Sequence, residues 1–357
     1  MFLNKEIKVI EEQKKRDLTI DCLKGILIVA VVLGHVASGF DMPLDKNIIY
    51  LMCYSWHMFL FMAVSGYLVG ISKKTIDLHW LWKRLKRLII PLSSWTIITM
   101  FIKHDISLLT YVYYMICEPV YWYLLVQFIF EAIYVFTKYI HYSIIPILGC
   151  ALGCIILYIF FRNIDTLRQL LLYYPFYWTG VFVGKNKQFF MQKFRIIIWV
   201  SLFLYPVSMF FYSWKDYTRV SEILTLLFSG IHMPESIIDN ILLLLNMGGY
   251  RAYNHYIVSP LGCLFHICIA IIICNTHFFK MIKHIFCYLG EKTIYIYILH
   301  MYFVSMIDNT EGIYALLQLV LGIVIPCITS EIVKKASVVD ALLFGGNIKF
   351  KRKVDIM

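Results

Sequence analysis

RDLTIDCLKGILIVAVVLGHVASG, residues 16–39, is the stretch that decides how this chain is read. It is long and apolar enough to cross a bilayer, which takes about 20 residues. Yet it carries Lys24 and, eleven residues later, His35. At 100° per residue, eleven steps return to within about 20° of the start, so both groups share one helix face roughly 16 Å apart along the axis. A cation and a titratable ring on one intramembrane stripe are costly and call for a polar cavity. Two readings stay open: a functional stripe, or Lys24 snorkelling to the surface and pairing with Asp21 while His35 sits at the far interface.

Working outward, 61% of the 357 residues are hydrophobic, only 15% are charged, and the mean hydropathy is +0.73. Such a chain is too apolar to cover a soluble surface and reads as an all-α, polytopic integral membrane protein. The net charge of +11 does not indicate nucleic acid, because the basic residues cluster in short segments between apolar runs. The ten cysteines lie mainly inside apolar runs and form no CxxC, so neither a disulfide framework nor a metal site is expected. A lysine inside the first run and the many later runs argue against a cleaved secretory signal. Residues 1–15 are read as a basic cytoplasmic tail.

About ten transmembrane helices are expected, at 19–39, 48–71, 88–103, 119–137, 142–161, 167–184, 196–213, 256–275, 292–307 and 313–333. With the N-terminus inside, most lysines and arginines fall in cytoplasmic segments: the tail ending Lys14-Lys15-Arg16, the stretch from Lys73 to Arg87, the Lys185–Arg195 loop, and the basic tail 334–357. That bias places both termini in the cytoplasm of a multi-pass protein of the cell membrane. The outer segment 214–255 contains an apolar run, 237–246, too short to cross, expected to be re-entrant or to lie on the surface. With no internal repeat or soluble domain, residues 1–357 are read as a single membrane domain.

Several polar groups then stand out. His57, in YSWHMFLFMAVSGYLVG, lies in the outer half of the second span, next to the half of the first that holds His35, and Ser65-Gly66 permits close helix approach. Taken alone, His57 reads as an interhelical hydrogen-bonding contact; the two histidines together suggest a shared pocket. In WKRLKRLIIP, Arg84 and Arg87 stand at i and i+3 before Pro91, a spacing suited either to a phosphate clamp or to lipid headgroups. Glu118, Tyr121, Trp122 and Tyr123 form either an interfacial belt or a surface on which a sugar stacks. His300 lies midway along TIYIYILHMYF, near Tyr295 and Tyr297. Glu235, Asp239, Arg251, Asn254 and His255 add polar groups in the outer segment without a diagnostic spacing. A transporter or lipid-linked glycan flippase, or a glycan polymerase, would also have many spans. The first should show repeat symmetry or broken helices in matching halves, and the second should keep its key charges in large outer loops. Here the suggestive residues lie within helices and at the cytoplasmic edge.

RDLTIDCLKGILIVAVVLGH resembles the opening motif of the membrane acyltransferase-3 family: Arg or Lys, ten residues, then His, met here by Lys24 and His35. WHMFLFMAVSGYLVG, RLKRLIIP, YWYL and LGEKTIYIYILH follow in the order of that family's comparable segments. The fucose 4-O-acetylase-like branch is the most similar, although Phe59 replaces the proline that commonly follows its His-Met. The resemblance implies transfer of an acyl group, usually acetyl, from cytoplasmic acyl-CoA to a hydroxyl of a cell-envelope, exported or lipid-linked glycan. No permanently bound cofactor is implied; acetyl-CoA is the donor substrate. Arg84, Arg87 and Lys24 are then expected to hold the anionic CoA. His35 is expected to act as general base or acyl carrier with Lys24 and His57, and Trp122, Tyr123 and His300 to meet the acceptor.

Overall fold

The computed structural model describes residues 17–44, 46–117, 119–139, 148–153, 155, 157, 164–212, 254–307 and 312–348, and every regular element among them is helical. In chain order these include α1 (Leu18–Ser38), α2 (Ile48–Tyr54), α3 (His57–Gly70), α4 (Leu78–Lys103), α5 (Leu108–Val112), α6 (Trp122–Tyr139), α7 (Asp165–Lys185), α8 (Lys187–Met209), α9 (Ser259–Asn275), α10 (Lys280–Glu291), α11 (Thr293–Val304), α12 (Ile313–Val333) and α13 (Ser337–Phe344). Side-chain caps set several starts: Asp17, Asn47, Asp77 and Ser107 accept from the backbone N–H of Thr19, Tyr50, Trp80 and Thr110.

Among the described residues, five helices are long and apolar enough to cross a membrane: Leu18–Ser38, Ile48–Gly70, Leu78–Lys103, Asn254–Asn275 and Ile313–Val333. A sixth arises if Leu108–Cys117 and Trp122–Thr137 count as one bent span. Helices α7 and α8 occupy the expected sixth and seventh crossings, and α11 forms only Thr293–Val304 of the ninth. Most of the expected fifth crossing (142–161), the outer stretch 213–253 with its 237–246 run, Glu118, and the segments 1–16 and 349–357 lie outside the described residues.

Two boundaries differ from the expectation. The third span was expected from residue 88, but α4 starts at Leu78, because Asp77 caps it and nothing breaks the chain before Pro91, which the helix absorbs. Arg84 and Arg87 therefore ride on the same helix that continues through the span, with the i, i+3 spacing expected of them. The C-terminal stretch read as a tail folds over Ser337–Phe344 into α13. The Trp95 indole N–H donates to the Leu343 carbonyl (2.8 Å), the Tyr295 hydroxyl donates to Asp340 (2.5 Å), and Phe344 stacks on Tyr295.

Glycines set the two closest crossings. Gly66 and Gly70 of α3 lie against the Tyr177 and Val181 carbonyls of α7, while Gly180 and Gly184 of α7 lie against the Ala63 and Tyr67 carbonyls of α3. This is a reciprocal pair of Gly-xxx-Gly faces, the arrangement that lets backbones touch within lipid. Likewise Gly25 of α1 meets the Phe286 carbonyl of α10, and Gly290 of α10 meets that of Asp21. Between these crossings α1 is held at the centre of the main apolar core.

Candidate active site

The site is built at the break between α2 and α3. Ser55 and Trp56 interrupt what would be one helix, and the interruption is filled from outside: Ser55 Oγ lies 2.8 Å from the Tyr205 hydroxyl, and Trp56 stacks on His266 with ring centroids 3.4 Å apart. At the break the Cys53 carbonyl keeps a long backbone contact, from the Trp56 N–H at 3.5 Å, and the His57 ring adds a short one, with Nδ1 2.6 Å from Cys53 O. The irregular backbone is thus satisfied from within the protein, as a lipid environment demands.

That geometry turns His57 toward a cavity of about 190 Å³, whose lining includes His35 and Val31 of α1, Tyr54 of α2, His57 and Met58 of α3, Tyr121 and Trp122 at the start of α6, and Tyr297 and His300 of α11. The His35 and His300 ring centroids are 5.1 Å apart, and His35 meets Tyr54 edge-on at 6.2 Å. His300 Nδ1 lies 2.9 Å from the Ile296 carbonyl. A carbonyl oxygen only accepts, so in the neutral rings of His57 and His300 the hydrogen sits on Nδ1 and the lone pair on Nε2. Among the described residues no group of His, Cys, Asp or Glu side chains is arranged to hold a metal ion. What the cavity offers is proton-accepting imidazole beside aromatic surface. Trp122 borders it while stacking on Tyr173, with centroids 5.1 Å apart and planes 11° apart.

Not every candidate converges there. Lys24 pairs with Asp21 (Nζ–Oδ1 2.8 Å) and does not line the cavity. Tyr123 turns aside, its hydroxyl 2.8 Å from Ser65 Oγ. Arg84 is engaged by a partner that sequence reading missed: Nε and Nη2 donate to the two carboxylate oxygens of Glu131 at 2.7 and 2.5 Å, and Gln127 donates to the same carboxylate at 3.0 Å. Glu131 is 1% exposed. Its signal was a lone carboxylate within the apolar run FIFEAIYVF. Arg87, one turn on, keeps an exposed side chain, and its backbone is covered by Gly345, just past α13. Asn254 and His255 lie at the start of the ninth helix, with His255 5.5 Å from the Phe59 ring, and border no part of this cavity; Glu235, Asp239 and Arg251 lie outside the described residues.

The helical bundle gathers three imidazoles on one cavity, and comparison with known proteins gives the family. The acyltransferase-3 family, described as an acyltransferase domain, matches residues 17–332, and the chain belongs to it. Nodulation protein NolL of Sinorhizobium fredii (strain NBRC 101917 / NGR234) is 39% identical over 85 residues, covering 22% of this chain and 23% of NolL. NolL of Mesorhizobium japonicum (strain LMG 29417 / CECT 9101 / MAFF 303099) is 37% identical over 91 residues, with the same coverage. The matched stretch is thus less than a quarter of the length of either relative. No solved structure matches the chain.

Proposed function

We propose that this membrane acyltransferase is an O-acyltransferase that moves acetyl from cytoplasmic acetyl-CoA to a hydroxyl of a cell-envelope, exported or lipid-linked glycan. The observation that carries the reading is the convergence of His35, His57 and His300, from three separate helices, on one cavity bordered by Trp122. An alcohol is a poor nucleophile until a base takes its proton, and an imidazole, with an unperturbed pKa near 6.5, suits that task near neutral pH. The Trp122 ring supplies an apolar face of the kind that packs on a sugar. The likeness of the His57-Met58 segment, ahead of Ser65-Gly66, to the fucose 4-O-acetylase-like branch favours a sugar hydroxyl over other alcohols.

The donor enters from the basic end of the bundle. Arg87, Lys83 and Lys86 stand exposed on the first turns of α4 and attract the CoA phosphates. Arg84, on the same turns of the helix, is held in place by the Glu131 carboxylate. The thioester reaches the cavity beside the α1 face that carries Lys24 and His35, so the acyl group crosses within the protein while CoA stays on the cytoplasmic side. Ten crossings with both termini cytoplasmic complete the arrangement.

The test is mass analysis of envelope glycans from cells with and without the protein, joined to an in vitro assay with radiolabelled acetyl-CoA and glycan extracted from the deletion strain. Loss of an acetyl-sized mass in the deletion strain, and label transfer by purified protein, are expected. Glycans of identical mass in both strains and no label transfer would refute the reading.

A further inference from the structure

His300 stands apart from the other two imidazoles. It is 2% exposed, its Nδ1 is committed to the Ile296 carbonyl, and its Nε2 is buried with no hydrogen-bond partner among the described residues. A buried acceptor left unsatisfied is destabilising, so such a group in a native site calls for an explanation. The residue lines the cavity, with the His35 ring centroid 5.1 Å from its own. An oxygen placed between two ring nitrogens needs roughly 5–6 Å between them if each contact is near 2.8 Å. The 5.1 Å between the two ring centroids is of that order.

We propose that His300 is a catalytic residue for acyl transfer, its Nε2 being the atom that takes the proton of the acceptor hydroxyl, which leaves the His35 ring on the side of the reacting carbonyl. The proposal rests on the O-acyl-transfer reading above. The step balances without any further reactant. The hydroxyl oxygen bonds to the thioester carbonyl carbon as its hydrogen passes to Nε2; the C–S bond then breaks, and the departing CoA thiolate takes that hydrogen, returning His300 to its neutral form. The Ile296 carbonyl has a second task here. By holding Nδ1–H it keeps the lone pair on Nε2 before the step, and it steadies the imidazolium formed during it.

The experiment compares wild type, His300→Gln and His35→Ala as purified full-length protein with acetyl-CoA and two nucleophiles: envelope glycan from the deletion strain, and hydroxylamine, a small nucleophile that attacks a thioester without prior loss of a proton. His300→Gln keeps a side-chain N–H for Ile296 but cannot take a proton. It is expected to lower glycan acetylation about 10²–10⁴-fold, at an unchanged KM for acetyl-CoA, while forming acetohydroxamate, above the protein-free rate, within about 3-fold of wild type. His35→Ala is expected to lose both products. Glycan acetylation by His300→Gln at the wild-type rate would overturn the proposal. So would parallel loss of both products, which marks a merely structural role. Wild type that transfers acetyl to neither nucleophile would refute the underlying reading instead.

Discussion

Residue by residue, the chemistry depends on which polar groups are already engaged. His35→Ala is expected to lower acetyl transfer by about 10²–10⁴-fold at normal protein abundance, because it removes the only cavity imidazole carried by the first helix. Label transfer set against immunoblotted membrane protein checks this, and wild-type rates in His35→Ala would mean that His35 takes no part in the transfer. The Arg84–Glu131 pair makes a separate prediction, about stability. Arg84→Met strands a carboxylate that is 1% exposed and is expected to cost about 3–5 kcal/mol, whereas adding Glu131→Leu recovers most of that loss. Denaturant unfolding in detergent of the two single variants and the double variant decides it; equal destabilisation by Arg84→Met with and without Glu131→Leu would mean the ion pair does not set the cost. The stripe of Lys24 and His35 was legible at this scale from spacing alone. The Lys24–Asp21 pair was one of two readings left open, and only the coordinates chose it. Glu131 went unread because a lone carboxylate in an apolar run gives no hint of its partner 47 residues earlier.

Helices meet here through their smallest residues, and that is where substitutions at the level of elements should be most costly. Gly180→Leu places a side chain against the Ala63 carbonyl backbone, which has no flexible end to yield, so severe loss of folded protein is expected. Gly149→Ala, where a methyl group would meet nothing within 4 Å among the described residues, is expected to shift stability by less than about 0.5 kcal/mol. Fluorescence-detected size exclusion of both variants after graded heating checks the contrast; a heat-labile Gly149→Ala or a wild-type-like Gly180→Leu would contradict it. Helix α13 carries a parallel expectation. It lies beyond the family match, which ends at residue 332, yet it closes a cluster of Leu88, Trp95, Tyr121, Tyr295 and Phe344. Lys334, leading into it, is held below its ordinary pKa by burial and by neighbouring Lys292. Truncation after Lys335 is therefore expected to lower thermal stability and to weaken acetyl-CoA binding, since Gly345 covers the backbone of Arg87. Unchanged unfolding and donor affinity in the truncated protein would reduce α13 to an appendage.

Across the whole molecule, the clustering of basic residues in a few segments sets the expected topology. Cysteine-accessibility mapping is expected to place 72–87, 185–195 and the C-terminus on the cytoplasmic side. An external C-terminus would mean that 237–246 crosses the bilayer. By itself the sequence determined the membrane class, the helical architecture and the histidines worth watching, because hydropathy and the 3.6-residue period are local properties of a chain. It also carried the family, through short motifs in fixed order. Only the tertiary structure decided that three of those histidines share one cavity, that Arg84 is spoken for, that α4 begins ten residues early and that the C-terminal stretch docks. The early start of α4 aside, which its own Asp77 cap sets, those outcomes depend on partners distant in sequence: Tyr205 and His266 at the α2–α3 break, Glu131 on α6, Trp95 and Tyr295 beneath α13. Buried hydrogen bonds and ion pairs are satisfied wherever the folded chain brings a donor to an acceptor, and no periodicity within one segment records where that meeting occurs.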